Sequence, residues 1–296
     1  MLNLKKILVL FLIFFLFNPG LKYPQKFLLR DLPQNTVSAS LRYIHPIFDH
    51  DVESDIISGI YDINVSFPIS RRMNLNVILP IEHINLNEHY NTDPIEGYYY
   101  GYWGMRKMNE TNIGNLYLGL QSKSLTEEDS KTNTAFGIFI PTTSKDKAMA
   151  LSMSYFTDIY NPSKYIPETF SLYFNLSNEW KFQNGMNLRL EGGPDVLIPS
   201  GSKEYQRETQ MYIHYGISLG YSYSQFFANS ELLGLTTLRG SNMSFTDRFI
   251  NGVSLGAGWQ NEVFSAGMFY QWHLNHWIGT LTDGSVGIKF GFVVPE

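Results

Sequence analysis

The sequence contains no cysteine, which excludes thiol catalysis, Cys-zinc sites, disulfides and lipid attachment through an N-terminal Cys. It is poor in charge: 17% of residues are Asp, Glu, Lys or Arg, against roughly 25% in an average soluble domain. The net charge is −5 and no Lys/Arg run follows the N-terminus, so nucleic acid is not an expected partner. Neither an EF-hand loop nor a HExxH helix occurs; no metal and no cofactor is expected. Long hydrophobic runs are missing as well. The longest, Ile7 to Phe17, is shorter than the roughly 20 residues a membrane-crossing helix needs. With a mean hydropathy of −0.15, a helical membrane protein is excluded.

That one run has a context. Lys5 and Lys6 precede it and Asn18-Pro19-Gly20 follow it. A basic region followed by a short apolar one reads as a secretory signal. It is placed at residues 1–22, with cleavage between Gly20 and Tyr23 and a mature domain over 23–296. The alternative is an uncleaved N-terminal anchor.

What the chain does contain is alternation. Val37, Ala39, Leu41 and Tyr43 alternate with Ser38, Ser40 and Arg42; Ile63, Val65 and Phe67 alternate with Asp62, Asn64 and Ser66. Met73 to Ile81 continues the pattern against Asn74, Asn76 and Glu82, with Ile78 and Pro80 as exceptions. Phe170, Leu172, Phe174 and Leu176 oppose Ser171, Tyr173, Asn175 and Ser177. Met211 to Tyr221 opposes His214, Gly216, Ser218 and Gly220, and the chain closes on Val286, Ile288, Phe290 and Phe292 against Gly287, Lys289 and Gly291. Period two is the strand signature, because successive side chains leave opposite faces of a sheet. About twelve strands are predicted, the stretch 226–239 being the weakest. Short connections at 68–72, 178–185, 222–225 and 260–262, with an intermediate one at 123–131, alternate with long ones, as in an up-and-down meander with turns at one end and loops at the other.

Two architectures share such strands. A secreted β-sandwich would turn its polar faces to water and carry more Lys and Glu there. A closed barrel in lipid turns apolar residues outward and small or polar ones inward. The weight of apolar surface favours an all-β, transmembrane, antiparallel up-and-down barrel. Charges facing lipid would cost about 2–4 kcal/mol each near the midplane. The pattern therefore assigns Arg42, Asp62, Glu82, Arg189, Glu191, His214, Gln271, His273 and Lys289 to the lumen. There they either line a solute path or pair with one another and fill the space.

With these features in view, the chain resembles Gram-negative outer-membrane β-barrels over most of residues 35–294. More narrowly, "IGNLYLGLQS", "AFGIFIPT" and "LRLEGGPDVLIPSG" resemble the transporter barrels of the phenol-degradation meta-pathway type. The resemblance implies the cell outer membrane, with lipid, the barrel assembly machinery and a small-molecule solute as partners. The implied function is that of a porin or transporter passing small, apolar-tolerant solutes, and no catalytic residue is carried over. The ending Val293-Val294-Pro295-Glu296 departs from the terminal aromatic of such barrels, leaving Phe292 in that role.

Other constellations bear on chemistry. His214 and Ser218 stand four residues apart on one strand face, about 13 Å at roughly 3.3 Å per residue, too far for a nucleophile and its base. "HPIFDHDVESD" gathers His45, Asp49, His50, Asp51, Glu53 and Asp55. It reads as a solvated acidic loop, or as a cation or hydrolase site that would make the chain an outer-membrane enzyme. "GYYYGYWGM" is either a ligand-gripping patch or part of an interfacial aromatic girdle. In "TSKDKAMALSMSYFTDIYNPSKY", Met149, Met153, Phe156 and Tyr160 recur at helical spacing. That segment folds into the lumen as a constriction or caps the mouth. A plugged structural or adhesive barrel is the third alternative.

Overall fold

The structure, a computed structural model, describes residues 26–29, 31, 36–48, 52–88, 108–123, 130–201, 208–238, 248–275 and 282–294. The expected signal peptide, the "GYYYGYWGM" stretch, Asp49, His50, Asp51, His89, His276, Pro295 and Glu296 lie outside them.

Twelve antiparallel strands form the wall: β1 (Ser38–Phe48), β2 (Gly59–Ser70), β3 (Met73–Glu88), β4 (Leu116–Lys123), β5 (Ser130–Ile140), β6 (Thr169–Lys181), β7 (Met186–Pro199), β8 (Gln210–Tyr223), β9 (Phe226–Thr237), β10 (Phe249–Gln260), β11 (Phe264–His273) and β12 (Thr282–Val293). Each pairs with its sequence neighbour, and β1 pairs with β12 from Ser38↔Val293 to Phe48↔Thr282. The ring is therefore closed, which removes the free edge that an apolar last strand would otherwise expose. Tight turns at Arg71–Arg72, Phe182–Gly185, Ser224–Gln225 and Asn261–Val263 join strands at one end, and the longer connections lie between strands at the other. This is the expected up-and-down barrel.

The wall is inside out relative to a soluble protein. Leu41, Ile63, Phe136, Leu219 and Phe290 stand out from it, Phe136 at 54% exposure, whereas Glu179, Arg189 and Glu231 are fully buried on the inner face. A sandwich would invert this partition. Apolar side chains find their favourable surroundings in lipid, and the charged ones avoid them.

The Phe292 side chain, on the terminal strand, is exposed on the outer face. Phe292→Ser is expected to cripple membrane insertion, whereas deletion of the last two residues is expected to be harmless. Heat-modifiable mobility of membrane fractions checks both; normal insertion of the Ser variant would sink the assignment.

One irregularity positions the site. Beyond β4, the same side of β3 is continued by a separate segment, Met108–Ile113, paired with Ile81 to Leu86. The break falls at Gly114 and Asn115. Gly114 N–H donates to Pro80 O at 2.9 Å and Asn115 N–H to Lys164 O at 2.6 Å. A Cβ on Gly114 would lie 2.8 Å from Lys164 O, so the close approach requires glycine. The Asn115 amide also donates to Ser163 O and Ile166 O, at 2.9 and 2.8 Å. Residues 141–168 are thus tied to the inside of the wall.

Their helix, α1 (Ala148–Thr157), packs Ala150 and Met153 on Ile84 and Phe48. The Ser154 and Thr157 hydroxyls donate to Ala150 O and Met153 O, which lets both polar residues be buried. The helix ends at Thr157, one turn before Tyr160, so the expected four-residue helical face is shorter than its spacing suggested. Between the two readings of this loop, the structure shows entry into the lumen.

Candidate functional site

The lumen is built around an ion network. Asp62 on β2 accepts from Arg42 Nε at 3.0 Å, from Arg42 Nη2, and from Lys164 Nζ at 2.8 Å. Asp158, just past α1, accepts from Arg42 Nη2 at 3.2 Å, Lys164 Nζ at 3.1 Å and Tyr165 Oη at 3.1 Å. Arg42 and Asp62 face each other across the β1–β2 register, so the wall supplies one pair and the inward loop the other. Two cations and two carboxylates, all buried, balance one another.

Lys26 to Leu29 and Asp31 lie inside the barrel and are not part of its wall. Phe27 N–H donates to Glu231 Oε1 at 3.0 Å, and Leu28 and Leu29 N–H donate to Oε2 at 2.8 and 3.3 Å. Lys289 Nζ donates to Lys26 O and to Asp31 Oδ2, both at 2.6 Å. Arg42 Nη1 reaches Phe27 O at 3.3 Å, and Gln121 Nε2 reaches Asp31 O at 3.2 Å. The Lys26 ammonium donates to Asn187 Oδ1 and Ser218 Oγ, with Glu179 at 3.6 Å. Burial lowers its pKa from the ordinary lysine value, and Glu179 and Glu231 oppose that shift. The Phe27 ring sits between Phe227 and Phe269, with centroids at 5.7 and 5.2 Å. Leu29 meets Ile159, Tyr160 and Leu233. The segment and the inward loop therefore touch, and Arg42 holds both. A cavity of about 850 Å³ remains beside them, reaching the Asn261–Val263 turn.

Of the nine residues assigned to the lumen, Arg42, Asp62, Glu82, Arg189, Gln271 and Lys289 are buried. Arg189 pairs with Glu191 at 2.6 Å. Asn112 donates to Glu82 Oε2 at 3.1 Å. His214 stacks on Tyr173 at 4.5 Å and lies 3.2 Å from Asn175 Oδ1. His273 Nδ1 lies 2.9 Å from Tyr160 Oη. Arg42, Asp62 and Lys289 converge on the segment and loop; Glu82, Arg189, Glu191, His214 and His273 lie elsewhere on the inner face.

Sequence reasoning missed Lys26, Asp158, Lys164, Glu179 and Glu231. Glu179 was legible, since one more step of the Ser171 to Ser177 alternation reaches it. Glu231 was hidden in the weakest strand. On β9 the inner face carries Phe227, Leu233 and Leu235, because it faces Phe27 and Leu29 in place of water. No alternation marks Lys26, Asp158 or Lys164.

No protein-family model matches the sequence, and no curated protein does. Among solved structures, the chain is similar to an outer membrane channel from Pseudomonas putida F1. The TM-score is 0.59 at 9% identity, covering 92% of this chain and 100% of that one. It is also similar to the NanC porin, with TM-score 0.50 at 6% identity, covering 87% and 100%. At these identities the likeness is one of fold. The fold is that of outer-membrane channel and porin barrels.

Proposed function

We propose that this chain is an outer-membrane channel passing small solutes passively through its lumen. The observation that carries the reading is the partition across the closed wall: apolar side chains outward, and buried polar and charged ones inward around a cavity of about 850 Å³. Arg42, Asp62, Glu82, Arg189, Glu191, His214, His273 and Lys289 would present both signs of charge to a solute. Small barrels of about eight strands are filled by side chains and those of 16–18 strands leave an aqueous channel. Twelve strands hold a narrow, selective path. The narrower sequence resemblance supports solutes with apolar character. Lipid holds the outer face, and the assembly machinery would read Phe292.

A second reading is a structural barrel, favoured by one observation: Lys26 to Leu29 and the loop 141–168 both occupy the lumen. Planar-bilayer recording of the refolded protein separates the two. Discrete current steps are expected; a protein that folds by heat-modifiable mobility yet never conducts, with or without its N-terminal segment, would overturn the channel. Solubility of the mature chain without detergent would overturn the membrane assignment itself.

A further inference from the structure

The lumen treats Lys26 to Leu29 and Asp31 as a ligand. Three successive main-chain N–H groups converge on the one Glu231 carboxylate. Three main-chain carbonyls are met by Lys289, Arg42 and Gln121. An aromatic slot takes the Phe27 ring and a polar corner takes the Lys26 ammonium. This is the complement of a peptide backbone with one apolar anchor. It is assembled from β1, β4, β6, β7, β8, β9, β11 and β12, so it exists only once the barrel has closed. Convergent amides around a carboxylate are also the arrangement that binds anions in backbone nests.

Nothing in the wall needs the segment for its own pairing, since every neighbouring strand already has its partner. Wall residues are held by ladders; among the described residues, the hydrogen bonds of the segment run to wall side chains. In sequence it directly follows the proposed signal peptide, so processing would leave it close to a free chain end.

We infer that the segment carrying Lys26 to Leu29 and Asp31 is a tethered peptide plug seated in a peptide-binding site of the lumen, and that conduction requires the plug to leave. Unseating frees Glu231, Lys289 and the Phe227–Phe269 slot to face the solute. It also removes Phe27 O from Arg42, and Leu29 from Ile159 and Tyr160, so the inward loop loses one side of its support. The inference rests on the channel reading, and peptide binding tests it separately.

The experiment compares the refolded mature protein with a variant lacking residues 24–31. The truncated barrel is expected to show at least tenfold higher open probability. A synthetic peptide, Lys-Phe-Leu-Leu-Arg-Asp, is expected to block it in a concentration-dependent way and to bind it saturably by fluorescence anisotropy of a labelled copy. The same peptide with alanine for phenylalanine should do neither. Equal currents from both proteins would overturn the plug while leaving the channel standing. Saturable binding to a folded but silent truncated barrel would overturn the channel while supporting the peptide site. Absence of binding would overturn the site. Should truncation prevent refolding, Glu231→Gln in the full-length chain reads the same property: faster amide exchange at Phe27 to Leu29 with raised open probability is expected, and no change in either would overturn the plug.

Discussion

Replacing Asp62 with alanine is expected to destabilise the folded barrel by about 3–5 kcal/mol, the cost typical of removing one partner from a buried ion pair. The reason is arithmetic on four charges. Arg42 and Lys164 share Asp62 and Asp158, and all four side chains are buried. Without Asp62, two cations face one carboxylate. Adding Lys164→Met restores one of each, with Arg42 still 3.2 Å from Asp158. The double variant should therefore be more stable than Asp62→Ala alone, because coupled charges do not contribute additively. Denaturant titration of refolded protein in detergent, followed by heat-modifiable mobility, measures the cycle. Limited proteolysis should find residues 141–168 released in the single variant and retained in the double. Additive losses would mean that the network does not act as a unit.

The second large effect is expected from Gly267→Val on β11. A Cβ at Gly267 would lie 2.6 and 2.8 Å from Cε1 and Cζ of Phe27, while the nearest backbone atom, Ala257 O, is 3.2 Å away. The ring of the segment yields before the wall does, and valine suits a strand. Losing the burial of one phenylalanine costs about 1.5–3 kcal/mol, about 10- to 100-fold in the seated population at 1.4 kcal/mol per decade. Hydrogen exchange at Phe27, Leu28 and Leu29 should accelerate by that factor while the β10–β12 amides keep their protection. Adding Phe27→Ala removes the clashing ring and should slow the exchange again. Unchanged exchange in the single variant would show that Phe27 does not anchor the segment.

Both predictions turn on contacts that the strand pattern did not contain. The wall itself was legible. Alternation placed Leu41 outward and Arg42 inward, set the parity of turns and loops, and aligned Lys289 with the lumen, because the two faces of a strand are a property of consecutive residues. Where alternation blurred, on β9, the cause was tertiary: an inner face that meets Phe27 and Leu29 is selected for apolar contact and no longer differs from the face toward lipid.

By itself, then, the sequence determined an inside-out antiparallel sheet, its strand count, the apolar match of its last strand to its first and the inward set from Arg42 to Lys289. Tertiary structure alone decided what fills the ring. The six residues from Lys26 to Asp31 carry no period to read, and the groups that hold them come from eight strands dispersed along the chain. Closure is what brings Glu231, Arg42 and Lys289 around one short segment and turns a row of inward charges into a site.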